Sequence, residues 1–482
     1  VSRRLRGELL ALPAGTPQSG PLHRQVYAHI RAAILSGRFA PGTRLPATRT
    51  LAAELGVARN TVLTAFEQLA AEGYLQARVG SGTFVAGELP GPLGATARVD
   101  AAVPAPAALS QRGARLLALR PPLGGTPARA FAVGVPATDA FPLALWQRLL
   151  AARGRERGLL DYAAAQGHAP LRIAIARHLT AARGVVCAPE QVIVLAATQQ
   201  GLDLIARVLA DSGDVAWLEE PGYRSVCQAW RGQGLRVEPV AVDAEGLNWQ
   251  AATHPPPRLI YVTPSHQFPS GVVMSLPRRL ALLERAVQDG AWIVEDDYDS
   301  EFRYAGRPLA ALQGLDGGQR VLYLGTFAKS LFPGLRLAWL VVPPALVEAF
   351  VVARRLLDYH SPPLLQAVTA DFIDQGHFAA HIRRMRGLYA ERQAALLEAA
   401  RRELAGAIEL TPADTGLHLL GRLQHGRARH LSARAAVAGI ALQALDEFHI
   451  GPCRREGLLF GYAATPPEAM HSAVQQLAAL ID

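Results

Sequence analysis

Six short apolar runs, at residues 192–195, 215–218, 259–262, 292–294, 321–324 and 338–342, constrain this chain more than anything else in it. Apolar runs of this length, bounded by polar or glycine-rich positions, read as buried strands, and strands that alternate with helical periodicity build a parallel-sheet α/β fold. In such sheets ligands collect outside the strand ends. Each of the first five runs is followed within a few residues by polar or glycine-rich positions that can point into a site. Beyond Ala345 the pattern is mainly helical, and from about residue 408 it reads as a smaller α/β lobe.

One of these strand ends carries the single lysine of the chain. Of 49 basic side chains, 48 are arginine, and Lys329 follows the run at 321–324 after a Gly325-Thr326 turn. Arginine stays protonated, whereas a desolvated lysine amine can lose its proton and attack a carbonyl. A lysine kept where every other cation became arginine points to amine chemistry, here a Schiff base.

The run at 292–294 ends in Glu295-Asp296-Asp297-Tyr298-Asp299. A metal site is the first alternative for such a cluster. Consecutive strand residues face opposite ways, so these acids cannot all converge, and no histidine stands at ligand spacing within the run. One acid and one phenol fit better. Pyridoxal phosphate needs that pair beside its lysine: a carboxylate for the pyridine nitrogen and a hydroxyl near the ring oxygen.

The first 86 residues are a different object. They hold ten arginines and four glutamates, a net +6 of the chain's +9, the electrostatic outline of a nucleic-acid-binding head. Leu22, Val26, Ile30 and Ile34 recur every fourth position, an amphipathic helix that Gly37 ends. Two short helical stretches then meet at Gly56, the helix-turn-helix spacing, and the second opens with Arg59, Asn60 and Thr61. After it, residues 74–85 alternate around Gly80-Ser81-Gly82 as a β-hairpin wing.

Seven prolines among alanine and glycine mark residues 87–128 as a semi-extended linker, with a basic stretch at 111–119 as transient helix. Three distant cysteines suggest neither a disulfide framework nor a metal site, and the chain reads as reduced and cytoplasmic. The apolar stretch at 9–12 is too short for a leader, and no later run is long enough to span a membrane.

The head resembles the winged helix-turn-helix of the GntR family on Leu45-Pro46-x-x-Arg49, Arg59-Asn60-Thr61-Val62, Gly73-Tyr74-Leu75 and Gly80-Ser81-Gly82-Thr83. That resemblance places Arg49, Arg59, Asn60, Thr61, Arg78 and Gly82 against double-stranded operator DNA. Residues 131–480 resemble a fold-type I aminotransferase, and head, linker and this domain in order resemble the MocR subfamily. The expected fold is therefore multidomain: a winged helix-turn-helix at 1–86, a linker at 87–128, and a large α/β pyridoxal-phosphate-dependent domain at 129–482.

The resemblance implies that Lys329 forms the Schiff base, Asp296 pairs with the pyridine nitrogen, and Tyr298 lies near the ring oxygen. Thr198, Gln199, Thr326 and Arg336 match the phosphate contacts, and Tyr223 matches the aromatic stacked on the ring. Tyr162 matches a tyrosine that reaches the partner's phosphate, which implies a homodimer. No metal is implied. In two places the chain departs from aminotransferases: Phe268 replaces the asparagine at the ring oxygen, with His266 as a stand-in, and Gly461 falls where the resemblance puts a carboxylate-gripping arginine. The expected function is transcriptional regulation by a domain that senses an amino compound or pyridoxal phosphate itself; the alternative is an active aminotransferase with a DNA-binding head.

Overall fold

The computed structural model describes residues 20–78, 80–89, 109–119, 129–251, 254–306, 310–453 and 455–481. Of the sequence-predicted linker at 87–128, residues 90–108 and 120–128 lie outside the described residues, as does the apolar stretch at 9–12. The chain divides into two bodies, Val1–Ala108 and Leu109–Asp482.

In the first body, α1 (Leu22–Leu35), α2 (Thr48–Leu55) and α3 (Arg59–Ala71) pack around Val26, Ile30, Ile34, Leu51, Val62, Phe66 and Leu69. Val26, Ile30 and Ile34 are buried as their spacing predicts; Leu22, in the first turn, stays exposed. Gly56 ends α2 at φ 65°, a left-handed cap where a side chain would be strained, and this turn sets α3 across α2. Strands β1 (Leu75–Arg78) and β2 (Gly82–Val85) pair antiparallel, Leu75 opposite Val85, as the wing.

The second body begins with α4 (Gln111–Leu119), α5 (Leu143–Arg153) and α6 (Ala169–Arg183). An eight-stranded sheet follows: β3 (Val192–Leu195), β4 (Val215–Glu220), β5 (Arg236–Asp243), β6 (Gly246–Leu247), β7 (Leu259–Val262), β8 (Trp292–Asp297), β9 (Val321–Thr326) and β10 (Ala338–Val341), in the order β3-β10-β9-β8-β7-β4-β5-β6. Helices α7 (Thr198–Leu209), α8 (Arg224–Gln233), α9 (Leu276–Asp289), α10 (Leu312–Asp316) and α11 (Phe327–Ser330) connect it. Alternation divides each strand between two cores. Ile193, Leu195, Leu322 and Leu324 face α7 with Leu202 and Ile205, whereas Val192, Val194, Tyr323 and Trp339 face α6 with Leu171 and Ile175.

The sheet is mixed, not wholly parallel. Strand β10 runs antiparallel to both β3 and β9. Only a short helix and one tight turn join β9 to β10, too little chain for the crossover that a parallel neighbour requires. The edge pair β5–β6 is also antiparallel.

Helices α12 (Val347–Asp358), α13 (Pro363–Asp374) and the 27-residue α14 (His377–Glu403) lead to the second lobe. Its sheet, β11 (Ile408–Leu410), β12 (His418–Leu423), β13 (Gln443–Ala444) and β14 (Gly457–Gly461), is antiparallel in the order β11-β12-β14-β13, with α15 (Ala428–Val437) and α16 (Pro467–Ala478) packed on it. The stretch read as transient helix within the linker is α4, which packs against α8. Leu116 there overlies Gly232, whose missing side chain makes room: a Cβ at 232 would stand 2.8 Å from Leu116 Cδ2. Among the described residues no helix is long and apolar enough to cross a membrane.

Candidate functional site

The C-terminal ends of β3, β7, β8 and β9 open onto one cavity of about 660 Å³. Thr198, Gln199, Tyr223, Asp296, Tyr298, Thr326, Lys329 and Arg336, widely separated in sequence, all line it. Tyr162 does not. It is 87% exposed, and its ring lies 5.4 Å from that of Tyr359.

Lys329 sits in the last turn of α11, half-buried, and its amine donates to the Gly134 carbonyl at 2.6 Å. Burial lowers its pKa, while Asp299 and Asp296 pull it back up. Asp296, on the opposite face of β8 from its neighbours, accepts from the Tyr261 hydroxyl at 2.7 Å through Oδ2. Its Oδ1 is buried without a hydrogen-bond partner. Burial above all, with repulsion from Asp297, pushes this carboxyl up to about 7 against the pull of Tyr261 and Lys329.

The other acids are sent elsewhere. Glu295 accepts from the amides of Leu312 and Gln313, both at 2.9 Å. Asp297 is paired with Arg183 at 2.8 Å; burial alone would raise it, but the guanidinium brings it below the ordinary carboxylate range. Asp299 meets His266 Nδ1 at 2.9 Å. Strand alternation thus leaves Asp296 alone on the cavity side of β8.

An anion site lies across the cavity. Helix α7 starts there with no side-chain cap, so its first amides and its dipole face Thr198 and Gln199. Thr326 caps α11, accepting from the Ala328 amide at 3.0 Å. Arg336 ends a tight turn in the left-handed region at φ 54°, an arrangement that costs a non-glycine residue about 1–2 kcal/mol and that aims the guanidinium at the cavity.

A lysine with a lowered pKa, a buried carboxylate oxygen awaiting a donor and an anion site at a helix start fit pyridoxal phosphate group by group. Residues 130–477 match the family Aminotransferase class I and II, and residues 22–85 match the bacterial regulatory proteins of the gntR family. The probable rhizopine catabolism regulatory protein MocR of Rhizobium meliloti is 45% identical over 463 residues, 95% of this chain and 93% of that protein. The chain belongs to the MocR-type regulators of the GntR family. The pyridoxine biosynthesis transcriptional regulator PdxR of Corynebacterium glutamicum is 30% identical over 478 residues, 97% of each chain. Among solved structures, the α-aminoadipate aminotransferase LysN of Thermus thermophilus, complexed with N-(5'-phosphopyridoxyl)-L-leucine, superposes with a TM-score of 0.67 at 32% identity, over 73% of this chain and 91% of its own. The cofactor of this family's large domain is pyridoxal phosphate, and its head binds DNA.

On the head, Arg49, Arg59 and Asn60 are exposed, Arg59 and Asn60 in the first turn of α3, with Thr61 half-buried behind them. Arg78 lies over the Phe84 ring at 4.9 Å. A Cβ at Gly82 would stand 3.0 Å from Arg44 Nε, so a further arginine lies against the tip of the wing.

In the cavity the sequence reading missed Tyr261, His418 and Gly134. Tyr261 sits within a predicted strand, one position from the end, where alternation could have flagged it. His418 and Gly134 come from distant segments and carry no local signal. Strand β14 brings no residue to the cavity lining: Leu459 is buried against Phe268, Phe448 and Val133. At Gly461 the backbone of Ala132 lies where a side chain would start, 2.1 Å from a Cβ. One set of metal-type ligands, His266, Asp299 and His418, lies close together among the described residues.

Proposed function

We propose that this regulator works as a cytoplasmic homodimer whose large domain carries pyridoxal phosphate on Lys329 and reads a small amino compound, or the cofactor itself, to change how its heads engage an operator. The observation that carries this reading is the lysine amine and the unpartnered Asp296 oxygen in one cavity with an uncapped helix start. In it, Asp296 takes the ring nitrogen, Tyr298 lies near the ring oxygen, and Tyr223 covers the ring. Thr198, Gln199, Thr326 and Arg336 hold the phosphate. When bound, the cofactor supplies an electrophilic carbon that an amine can attack. The head reads DNA with Arg49, Arg59, Asn60 and Thr61, and with Arg78 and Gly82 in the wing.

Dimerisation is supported by an exposed apolar strip on this body: Leu160 and Leu356 are 84% and 82% exposed beside Tyr162 and Tyr359. In a dimer, Tyr162 would reach the cofactor of the second copy. Footprinting on DNA upstream of the protein's own gene, with and without pyridoxal phosphate and with a panel of amino compounds, tests the whole reading. A footprint indifferent to every addition would sink it.

A further inference from the structure

Two polar side chains of the cavity have no role in holding the cofactor and no partner in the protein. Gln228 and Gln443 are half-buried in its lining, and among the described residues their side-chain amides make no hydrogen bond. They stand on the two sides of one mouth. Gln228 lies one turn along α8 from Arg224, on the same face of the helix. Arg224 donates to the carbonyls of Glu447 and His449 at 3.1 and 3.3 Å, and the Gly222 amide donates to the Phe448 carbonyl at 3.0 Å, so the start of α8 is stitched to the turn that follows β13. Gln443 opens β13, where the next residue, Ala444, is fully buried, so strand alternation turns Gln443 towards the cavity.

The charges of this mouth already have their partners. Among the described residues three arginines line the cavity. Arg336 belongs to the phosphate site, Arg224 is taken by the carbonyls just named, and Arg429 is paired with Asp446 at 2.8 Å. Glu447, whose Oε1 accepts from the Ala444 amide at 3.0 Å, adds an acid to the lining. A carboxylate on the tail of a ligand would therefore lose water beside Glu447 without gaining a guanidinium. An alcohol fits better, because a hydroxyl can both donate to and accept from a primary amide. An apolar tail would cover the two amides and leave them unpaired, which costs more than never having buried them.

We propose that the effector is a primary amine whose tail carries hydroxyl groups and no carboxylate, with Gln228 and Gln443 holding those hydroxyls while the amine is turned towards Lys329. This assignment rests on the cofactor reading and names the chemical class that the loaded cavity selects. Both glutamines touch the ligand in it, and neither touches the cofactor.

Three amines of one skeleton test it: serinol, with two hydroxymethyl arms; serine, in which one arm is a carboxylate; and isopropylamine, in which both are methyl groups. The readout is the absorption of the bound cofactor in the full-length, cofactor-loaded protein. Each half-saturating concentration is divided by that of the same amine with free pyridoxal phosphate, which cancels the amine's own reactivity. On this scale serinol should act at least about tenfold below both serine and isopropylamine. Gln228→Leu and Gln443→Leu should each weaken serinol about fivefold and leave isopropylamine and the cofactor spectrum as they were. Gln228→Arg should supply an unengaged guanidinium and reverse the order, so that serine acts below serinol. Serine acting below serinol in the wild type, serinol indifferent to both leucine variants, or an order unchanged by Gln228→Arg would overturn the proposal. Protein that takes up no cofactor would sink the cofactor reading as well; loaded protein whose spectrum none of the three amines moves would sink this assignment and leave the cofactor in place.

Discussion

The Lys329 amine and the Gly134 carbonyl oxygen lie 2.6 Å apart, and a Cβ added at Gly134 would come within 2.8 Å of that amine. Gly134 also has φ 72°, a conformation L side chains avoid. Both the space and the backbone at this position are thus reserved for the lysine.

Gly134→Ala should therefore displace the amine and strain the loop by about 1–2 kcal/mol. The amount of pyridoxal phosphate trapped on Lys329 by borohydride should drop sharply while the far-UV spectrum is kept. Full trapping in that variant would show that the loop gives way. In Lys329→Ala, which has no side-chain amine left, trapping on a lysine should vanish.

Asp296 offers a test through stability. Its folded-state pKa is raised to about 7, above its unfolded value, so the folded protein binds the extra proton and loses this contribution as pH rises from about 4 to about 7. Asp296→Asn removes the titration. Without cofactor, the melting temperature of the variant relative to wild type should climb across that window. A difference that stays flat with pH would mean that Asp296 is ionised throughout.

How much of this was legible depended on whether a signal was local. The runs at 192–195 and 259–262 coincide with β3 and β7 because apolar side chains are needed on both faces of a central strand. Strand β5, Arg236–Asp243, escaped notice because its burial follows no simple period and Pro239 interrupts it, a proline it tolerates because β6 pairs only with Val242 and Asp243. The direction of β10 is set by the length of its connection, not by its composition. The division of the acids among Asp296, Asp297 and Asp299 followed from alternation, but their partners Tyr261, Arg183 and His266 come from other elements, where one sequence offers no pairing signal. Tyr162 is exposed and does not line this chain's own cavity.

The head makes a separate prediction. Arg59 and Asn60 are exposed at the start of α3, and anchoring by phosphate contacts makes binding fall steeply with salt. Arg59→Ala should cost about 1–3 kcal/mol and flatten sequence preference. A footprint unchanged in strength and boundaries would remove Arg59 from base reading.

Helix α4 packs at the cavity, since Leu119 lines it and Leu116 rests on α8, whose Arg224, Ser225 and Gln228 line it too. Gly232→Val should push α4 off by filling the space under Leu116. Limited proteolysis should then cut within Gln111–Leu119 faster than in wild type, with no loss of the folded large domain. Equal cutting rates would mean that α4 is not held by this contact.

The last prediction separates sensing from turnover, and it comes from the second lobe's side of the cavity. There Leu459 packs behind Phe268, Phe448 and Val133, and Gly461 is covered by the Ala132 backbone, so β14 brings no side chain to meet a substrate carboxylate. Besides Arg336, the arginines that line the cavity are already engaged, Arg224 with the carbonyls of Glu447 and His449 at 3.1 and 3.3 Å, and Arg429 with Asp446 at 2.8 Å. A transaminase must hold its substrate in one geometry through both half-reactions, and misplacement by about 1 Å slows such chemistry roughly a hundredfold. An amine approaching Lys329 needs no such grip. Effector amines should therefore change the absorption of the bound cofactor at once, while keto acid release stays at least about a hundredfold below the ~10 s⁻¹ common among enzymes. Steady release at that common rate from ordinary amino donors would identify a working aminotransferase, and a cofactor spectrum unmoved by any amine would leave pyridoxal phosphate itself as the signal.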